Sequence, residues 1–147
     1  MTKTTQHSGP IRPSIADCKI IELPRFLDTR GNLTFAEQHN QVPFEIKRAY
    51  WIYDVPGGEA RGGHAHKELH QLIIAASGSF TVTLDDGIAK RSFFLNHPYQ
   101  GLYLKPGLWR ILEDFSSGAV CLVLASDIYK QEDYIRNYQE FLEYWKK

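Results

Sequence analysis

The chain has 147 residues, of which 43% are hydrophobic, so it can bury one substantial core but is short for two ordinary domains. Seventeen basic residues balance seventeen acidic ones, which gives no general attraction to nucleic acid or anionic lipid. No apolar run approaches the ~20 residues that cross a bilayer, and the N-terminus lacks the apolar region of a signal peptide. These features predict a soluble, cytoplasmic protein that binds neither nucleic acid nor membrane.

The first part of the chain differs in composition from the rest. Residues 1–16 are polar and contain two prolines, which predicts a mobile or exchanging N-terminal arm. Residues 17–147 are then expected to form one domain. The only cysteines, Cys18 and Cys121, lie far apart in the sequence, which argues against a disulfide framework and favours a reducing compartment.

Short apolar or β-branched runs recur through the domain, separated by turn signals such as "DVPGG", "DDG" and "KPG". This spacing is typical of an antiparallel sandwich or barrel. In "SFTVTL", Phe80, Val82 and Leu84 alternate with polar residues, as expected of a strand with one buried face. The pattern predicts an all-β fold, a barrel of the jelly-roll kind.

Only the C-terminal segment "QEDYIRNYQEFLEYWKK" has a helical pattern. Tyr134, Tyr138, Phe141 and Trp145 fall at positions i, i+4, i+7 and i+11, which places four aromatic rings on one side of a helix. We expect this α-helix to pack its aromatic side against the sheet.

The stretch "RGGHAHKELH" concentrates three histidines. His64 and His66 are two residues apart, so on a strand both rings point to the same side. Three interpretations are open at this point: a metal site, an acid/base pair, or ordinary surface residues. Gly62 and Gly63 allow a tight backbone turn beside them, and Arg61 adds a cation suited to phosphate or carboxylate, which favours the rim of a pocket.

These residues resemble the first cupin motif, in which a glycine precedes an H-x-H pair and a glutamate follows it. His70 takes the place of the glutamate. The segment "GLYLKPGLWR" resembles the second motif more loosely, with Arg110 near the position of the last histidine ligand. Because a guanidinium is always charged and repels a metal cation, we predict that no metal or other cofactor is bound.

A narrower resemblance extends over about residues 18–142 and includes "TRGNLTFAE", the two motifs above and "DYIRNYQEFL". These segments are similar to the TDP-4-keto-6-deoxyglucose 3,4-ketoisomerases, the WxcM-like sugar isomerases of the cupin superfamily. The resemblance implies a cupin-type jelly-roll barrel and a homodimer, possibly with exchanged N-terminal strands. It also implies a TDP-linked keto-sugar as substrate, whose carbonyl moves from carbon 4 to carbon 3 through an enediolate.

The same resemblance implies the roles of individual residues. His64 and His66 become the catalytic acid/base pair, since an imidazole with a pKa of about 6.5 exchanges protons near neutral pH. The sequence does not say which of them acts at carbon, and the place of His70 stays open between the cavity and the end of a strand. Four further residues are predicted to bind the substrate: Arg48, Arg61 and Arg110 at the diphosphate, and Tyr103 at an enediolate oxygen.

Three other functions remain open from the sequence. One is a metal-free cupin epimerase, whose enolate chemistry is closely related. Another is an iron-dependent cupin dioxygenase with His64, His66 and His70 as ligands, and the last is a binding module without chemistry. The configuration that the reaction would deliver at carbon 4 is also left open.

Overall fold

The computed structural model describes residues 12–146, which form two antiparallel β-sheets with one short helix at the end of the chain. In chain order, strands β1 to β12 span Lys19–Glu22, Arg25–Phe26, Leu33–Thr34, Arg48–Ile52, Arg61–His66, Gln71–Ser77, Phe80–Asp85, Lys90–Leu95, Gln100–Leu104, Trp109–Glu113, Val120–Ala125 and Tyr134–Ile135. Two 3-10 helices span Ile15–Asp17 and Gln131–Asp133, and helix α1 spans Tyr138–Tyr144.

The first sheet has the strand order β1-β9-β6-β11-β4, and the second has the order β12-β5-β10-β7-β8. A separate hairpin joins β2 and β3. The predicted all-β class with a C-terminal helix is therefore confirmed. The sheets do not close into the predicted barrel, because no strand pairing within residues 12–146 joins one five-stranded sheet to the other.

The core lies between the two sheets. Phe80, Val82 and Leu84 of β7 are fully buried, while Thr81 and Thr83 are only partly covered, which confirms the predicted alternation along this strand. Burying each large apolar side chain contributes about 1.5–3 kcal/mol to folding. This core fixes the two sheets face to face and leaves their edges free to form a site.

The C-terminal helix is shorter than the aromatic pattern predicted. Asn137 accepts a hydrogen bond from the backbone N–H of Glu140 (3.1 Å) and so starts the helix. Tyr134 lies before that cap, in β12, where its backbone pairs with β5. The predicted helical position of Tyr134 was therefore wrong, whereas Phe141 is buried as expected and packs with Tyr138 and Trp145.

Most of the predicted N-terminal arm, residues 1–11, lies outside the described residues. The described end of the arm packs against the domain: Ile15 joins the core, and Arg12 donates to the backbone carbonyl of Asp86. Within the part of the chain that the structure describes, no helix is long and apolar enough to span a membrane.

Candidate active site

Strand β5 carries His64 and His66 with both rings on the same side, as the spacing predicted. Their ring centroids are 4.8 Å apart and their planes are nearly perpendicular. The two Nε2 atoms lie 3.1 Å from each other. His66 is almost fully buried, with 4% of its surface exposed, and His64 is partly exposed. The pair can therefore pass a proton between the rings while one of them remains accessible.

The glycines before the pair shape the strand. Gly62 has a φ of +79°, which a residue with a Cβ rarely adopts, and it lies where the pairing of β5 with β10 changes register. Arg110 is opposite His64 there, and Leu112 is opposite Arg61. This irregularity is a β-bulge.

Arg110, on the neighbouring strand β10, lies directly beside the pair. Its side chain is 2% exposed. It donates from Nη2 to Nε2 of His64 (2.9 Å) and to the hydroxyl of Tyr50 (3.3 Å). That hydroxyl also accepts a hydrogen bond from Gln71 (2.9 Å). A fixed positive charge is therefore built into the site next to the histidines.

Asp133 and Tyr134 reach the pair from the opposite end of the sequence, because β12 pairs with β5 and places Tyr134 opposite His66. Nδ1 of His66 lies 3.0 Å from Oδ2 of Asp133. The Tyr134 ring packs on both imidazoles, with centroid distances of 5.0 Å to His64 and 4.4 Å to His66. The sequence analysis missed both residues, although the buried Ile135 between two polar neighbours is a strand pattern that could have indicated β12.

The surroundings of the pair favour the neutral imidazoles. Burial, and then the charge of Arg110, lower the pKa of His64 to about 3. The same two causes, in the same order, lower the pKa of His66, while burial raises the pKa of Asp133. Near neutral pH both imidazoles are therefore held unprotonated, each with a ring-nitrogen lone pair.

A cavity of about 470 Å³ opens between the edges of the two sheets, where His64 faces it. Four arginines line it: Arg48, Arg61, Arg110 and Arg136. The structure therefore brings together the three arginines that the sequence analysis selected and adds Arg136, which it missed. None of the lining residues that the structure describes is acidic, so the cavity suits an anionic ligand.

The structure does not bring Tyr103 to this cavity. In β9 it stands between Leu102 and Leu104, which face the core, so its ring lies on the opposite face of the first sheet. There the Tyr103 hydroxyl and Nδ1 of His70 are 2.7 Å apart, and Phe44 packs on both rings. His70 is therefore also separated from the other two histidines.

No group of three or more potential ligands for a metal ion occurs within residues 12–146. The iron site considered above would have needed His64, His66 and His70 around one ion. The pairing of His70 with Tyr103 separates those ligands. A guanidinium nitrogen also occupies the space beside Nε2 of His64.

Comparison with known proteins places the chain in a family. A model described as FdtA: WxcM-like, C-terminal matches residues 16–146. The chain is 45% identical over 129 residues to the TDP-4-oxo-6-deoxy-alpha-D-glucose-3,4-oxoisomerase of Aneurinibacillus thermoaerophilus, covering 88% of this chain and 93% of that protein.

Two of the solved structures that share the fold are ketoisomerases. The WlaRB TDP-quinovose 3,4-ketoisomerase from Campylobacter jejuni has a TM-score of 0.83 and 48% identity, covering 88% of this chain and 99% of that one. A histidine-to-asparagine mutant of the 3,4-ketoisomerase QdtA from Thermoanaerobacterium thermosaccharolyticum, in complex with TDP-4-keto-6-deoxyglucose, has a TM-score of 0.86 and 38% identity, covering 88% and 94%. The chain belongs to the FdtA family of WxcM-like, C-terminal domains.

Proposed function

We propose that this chain is a TDP-sugar 3,4-ketoisomerase that converts TDP-4-keto-6-deoxyglucose to the 3-keto sugar. One observation carries the proposal: the Nε2 atoms of His64 and His66 lie 3.1 Å apart at a cavity lined by four arginines. Relatives with this activity align over most of the chain. The site thus combines proton carriers with a surface for a sugar diphosphate.

The reaction needs only proton transfers. The carbonyl at carbon 4 acidifies the hydrogen on carbon 3, so a base can remove that proton and leave an enediol between the two carbons. A proton is then added at carbon 4, and the hydroxyl proton moves from the oxygen on carbon 3 to that on carbon 4. The electron pair of one C–H bond moves into the C=C bond and out again, so no oxidant is required. His64 and His66 supply the base and return the proton.

The arginines of the cavity support binding of the nucleotide. The diphosphate carries about two negative charges, which arginine binds with two parallel hydrogen bonds. Arg48, Arg61, Arg110 and Arg136 supply four positive charges around one cavity. The guanidinium of Arg136 also lies 4.3 Å from the centroid of the Tyr134 ring, which holds it beside the histidine pair. We assign these four residues to substrate binding.

Metal independence is part of the proposal. The 2.9 Å hydrogen bond from Arg110 places a cation where a metal ion would approach Nε2 of His64. Two like charges at that distance repel each other strongly in a partly buried site.

One experiment tests the activity and its closest alternatives. The protein is incubated with TDP-4-keto-6-deoxyglucose in deuterated water, with and without a chelator, and the sugar is followed by NMR. We expect a 3-keto sugar, with deuterium at carbon 4, at the same rate in both samples. Deuterium confined to carbon 5 would instead indicate an epimerase, absence of exchange would indicate a binding protein, and loss of activity with the chelator would contradict metal independence.

A homodimer is proposed on the basis of an apolar surface outside the first sheet. The β2–β3 hairpin exposes Phe26, Leu27 and Leu33, which are 57–70% exposed, beside a cavity of about 600 Å³ lined mainly by apolar residues. Exposed apolar area of this kind typically marks an interface. Among the strands of residues 12–146, β1 pairs only with β9, at the edge of the sheet, which is the position that an exchanged strand would occupy.

The dimer is tested by light scattering during gel filtration. Phe26→Glu is expected to shift the protein to the monomer mass. Ile88→Glu is the control, since Ile88 is 82% exposed in the turn between β7 and β8. A dimer that survives Phe26→Glu would contradict the proposed interface.

The predicted cytoplasmic location also remains a proposal. It is supported by Cys18 and Cys121, which are both free and buried, as expected in a reducing compartment.

A further inference from the structure

Three hydrogen bonds join Asp133, at the end of the 3-10 helix that precedes β12, to the consecutive residues 66–68. Its Oδ1 accepts from the backbone N–H of Glu68 (2.7 Å), and its backbone carbonyl accepts from the N–H of Lys67 (2.9 Å). Its Oδ2 lies 3.0 Å from Nδ1 of His66. The Asp133 side chain is 14% exposed. The carboxylate is therefore fixed, with one oxygen reserved for the histidine.

The type of each atom determines where the proton of His66 lies. A carboxylate oxygen only accepts hydrogen bonds, so Nδ1 of His66 must carry the proton in this contact. A neutral imidazole that is protonated at Nδ1 has its lone pair at Nε2. That Nε2 faces Nε2 of His64 at 3.1 Å. Nε2 of His64 already accepts from Arg110 (2.9 Å), so the two lone pairs face each other and can share one added proton.

The other neighbours of the pair do not impose this arrangement. Of the two histidines Arg110 contacts His64 and not His66, and Tyr134 packs its ring on the imidazoles without a hydrogen bond to either within the described residues. Asp133 is the one described group that contacts Nδ1 of His66 through a hydrogen bond. Control over the tautomer of His66 thus rests on a residue 67 positions away in the sequence.

We propose that Asp133 is a positioning residue of the histidine pair. By accepting the Nδ1 proton it fixes the ring of His66 and keeps the Nε2 lone pair directed at His64. The proposal rests on the ketoisomerase function, in which the pair must take a proton from carbon 3 and deliver one to carbon 4. A lone pair on Nε2 of His66 gives that proton a second acceptor.

The test is Asp133→Asn. The Asn oxygen can still accept from the N–H of Glu68, while its amide nitrogen donates to Nδ1 of His66 and so forces the proton of the ring onto Nε2. In serine proteases the same Asp-to-Asn exchange lowers kcat about 10⁴-fold through the wrong tautomer. We expect a loss in kcat of about 10²-fold or more here, with KM changed less than about threefold because Asp133 does not line the arginine cavity.

Asp127→Asn is the matched control. Asp127 lines the neighbouring cavity with Asp133 but pairs with Lys130 (2.7 Å) instead of a histidine. The Asp127→Asn substitution removes the same negative charge close to Asp133, and we expect this variant to keep the wild-type kcat.

The decisive readout is the ¹⁵N NMR spectrum of labelled histidines in the intact protein. We expect His66 to carry its proton on Nδ1 in the wild type and on Nε2 in Asp133→Asn. A wild-type proton on Nε2, or unchanged kcat in the variant, would overturn the proposal. So would a lower Tm and lower activity without a change of tautomer, since that result indicates a purely structural role.

The ¹⁵N spectrum does not depend on turnover, so the ketoisomerase function and the role of Asp133 can each be contradicted without the other. If the wild type does not convert TDP-4-keto-6-deoxyglucose, the proposed function is wrong, while the tautomer of His66 is still determined by the same sample.

Discussion

The guanidinium of Arg110 donates a 2.9 Å hydrogen bond to Nε2 of His64 from the adjacent strand of the same sheet. Arg110 is buried and His64 is partly buried, so the charge is weakly screened and disfavours an imidazolium beside it. Burial and, after it, this contact favour the neutral form of the H-x-H pair, and the contact is the basis of the proposed metal independence.

Replacement of His66 by asparagine is expected to abolish turnover and leave nucleotide binding intact. The variant loses an acid/base group, which typically costs about 10²–10⁴-fold in rate, whereas the arginines that line the cavity remain. Turnover is measured by NMR with TDP-4-keto-6-deoxyglucose, and the affinity for TDP by calorimetry. His97→Asn is the control, because His97 stacks on Tyr99 outside the cavity; near-normal turnover of His66→Asn would exclude His66 from the chemistry.

Removal of the Arg110 charge is expected to raise the pKa of His64. Arg110→Met takes away the second-largest cause of the lowered value, after burial. The pKa is followed by titration of the labelled histidine in NMR spectra. Tyr50→Phe is the comparison, since it removes a hydrogen-bond partner of Arg110 but keeps the charge. Equal pKa values of His64 in the wild type and in Arg110→Met would show that the guanidinium does not control this ring.

Stability is expected to fall as the pH drops below about 6.5. The folded protein keeps His64 neutral down to a pKa of about 3, whereas the unfolded chain binds a proton at this residue from about pH 6.5 downwards. Between these values the unfolded state holds more protons, so the free energy of unfolding decreases by about 1.4 kcal/mol per pH unit for this histidine. Urea unfolding at pH 7 and pH 5 measures the change, and His64→Gln should reduce the slope. An identical slope in that variant would contradict the lowered pKa.

Arg61→Ala and Arg136→Ala are each expected to weaken TDP binding about tenfold, because a charge-assisted hydrogen bond contributes about 1.5–3 kcal/mol. KM for the TDP-sugar should rise with little change in kcat, since both residues line the cavity without a hydrogen bond to the histidine pair. Arg91→Ala is the control; Arg91 lies over Phe93 on β8. If the three variants bind TDP with equal affinity, the cavity is not the diphosphate site.

Periodicity alone was sufficient for several features of this protein. The alternation of Phe80, Val82 and Leu84 specified a strand and its buried face, because successive side chains of a strand point to opposite sides. The same rule placed His64 and His66 together. The cation at position 110 predicts, from the sequence alone, that the second motif does not supply a metal ligand. The alternation of Leu102, Tyr103 and Leu104 likewise indicates that Tyr103 faces away from the core between the two sheets.

Tertiary structure alone decided which distant residues complete the site. Asp133 reaches His66 only because β12 pairs with β5, and the pairing partner of a strand is not encoded in its local pattern. Tyr134 fits a helical aromatic pattern as well as a short strand, and the cap at Asn137 together with the free edge of β5 resolves the choice. Local spacing determines which side chains share a face, whereas long-range strand pairing determines what that face contacts.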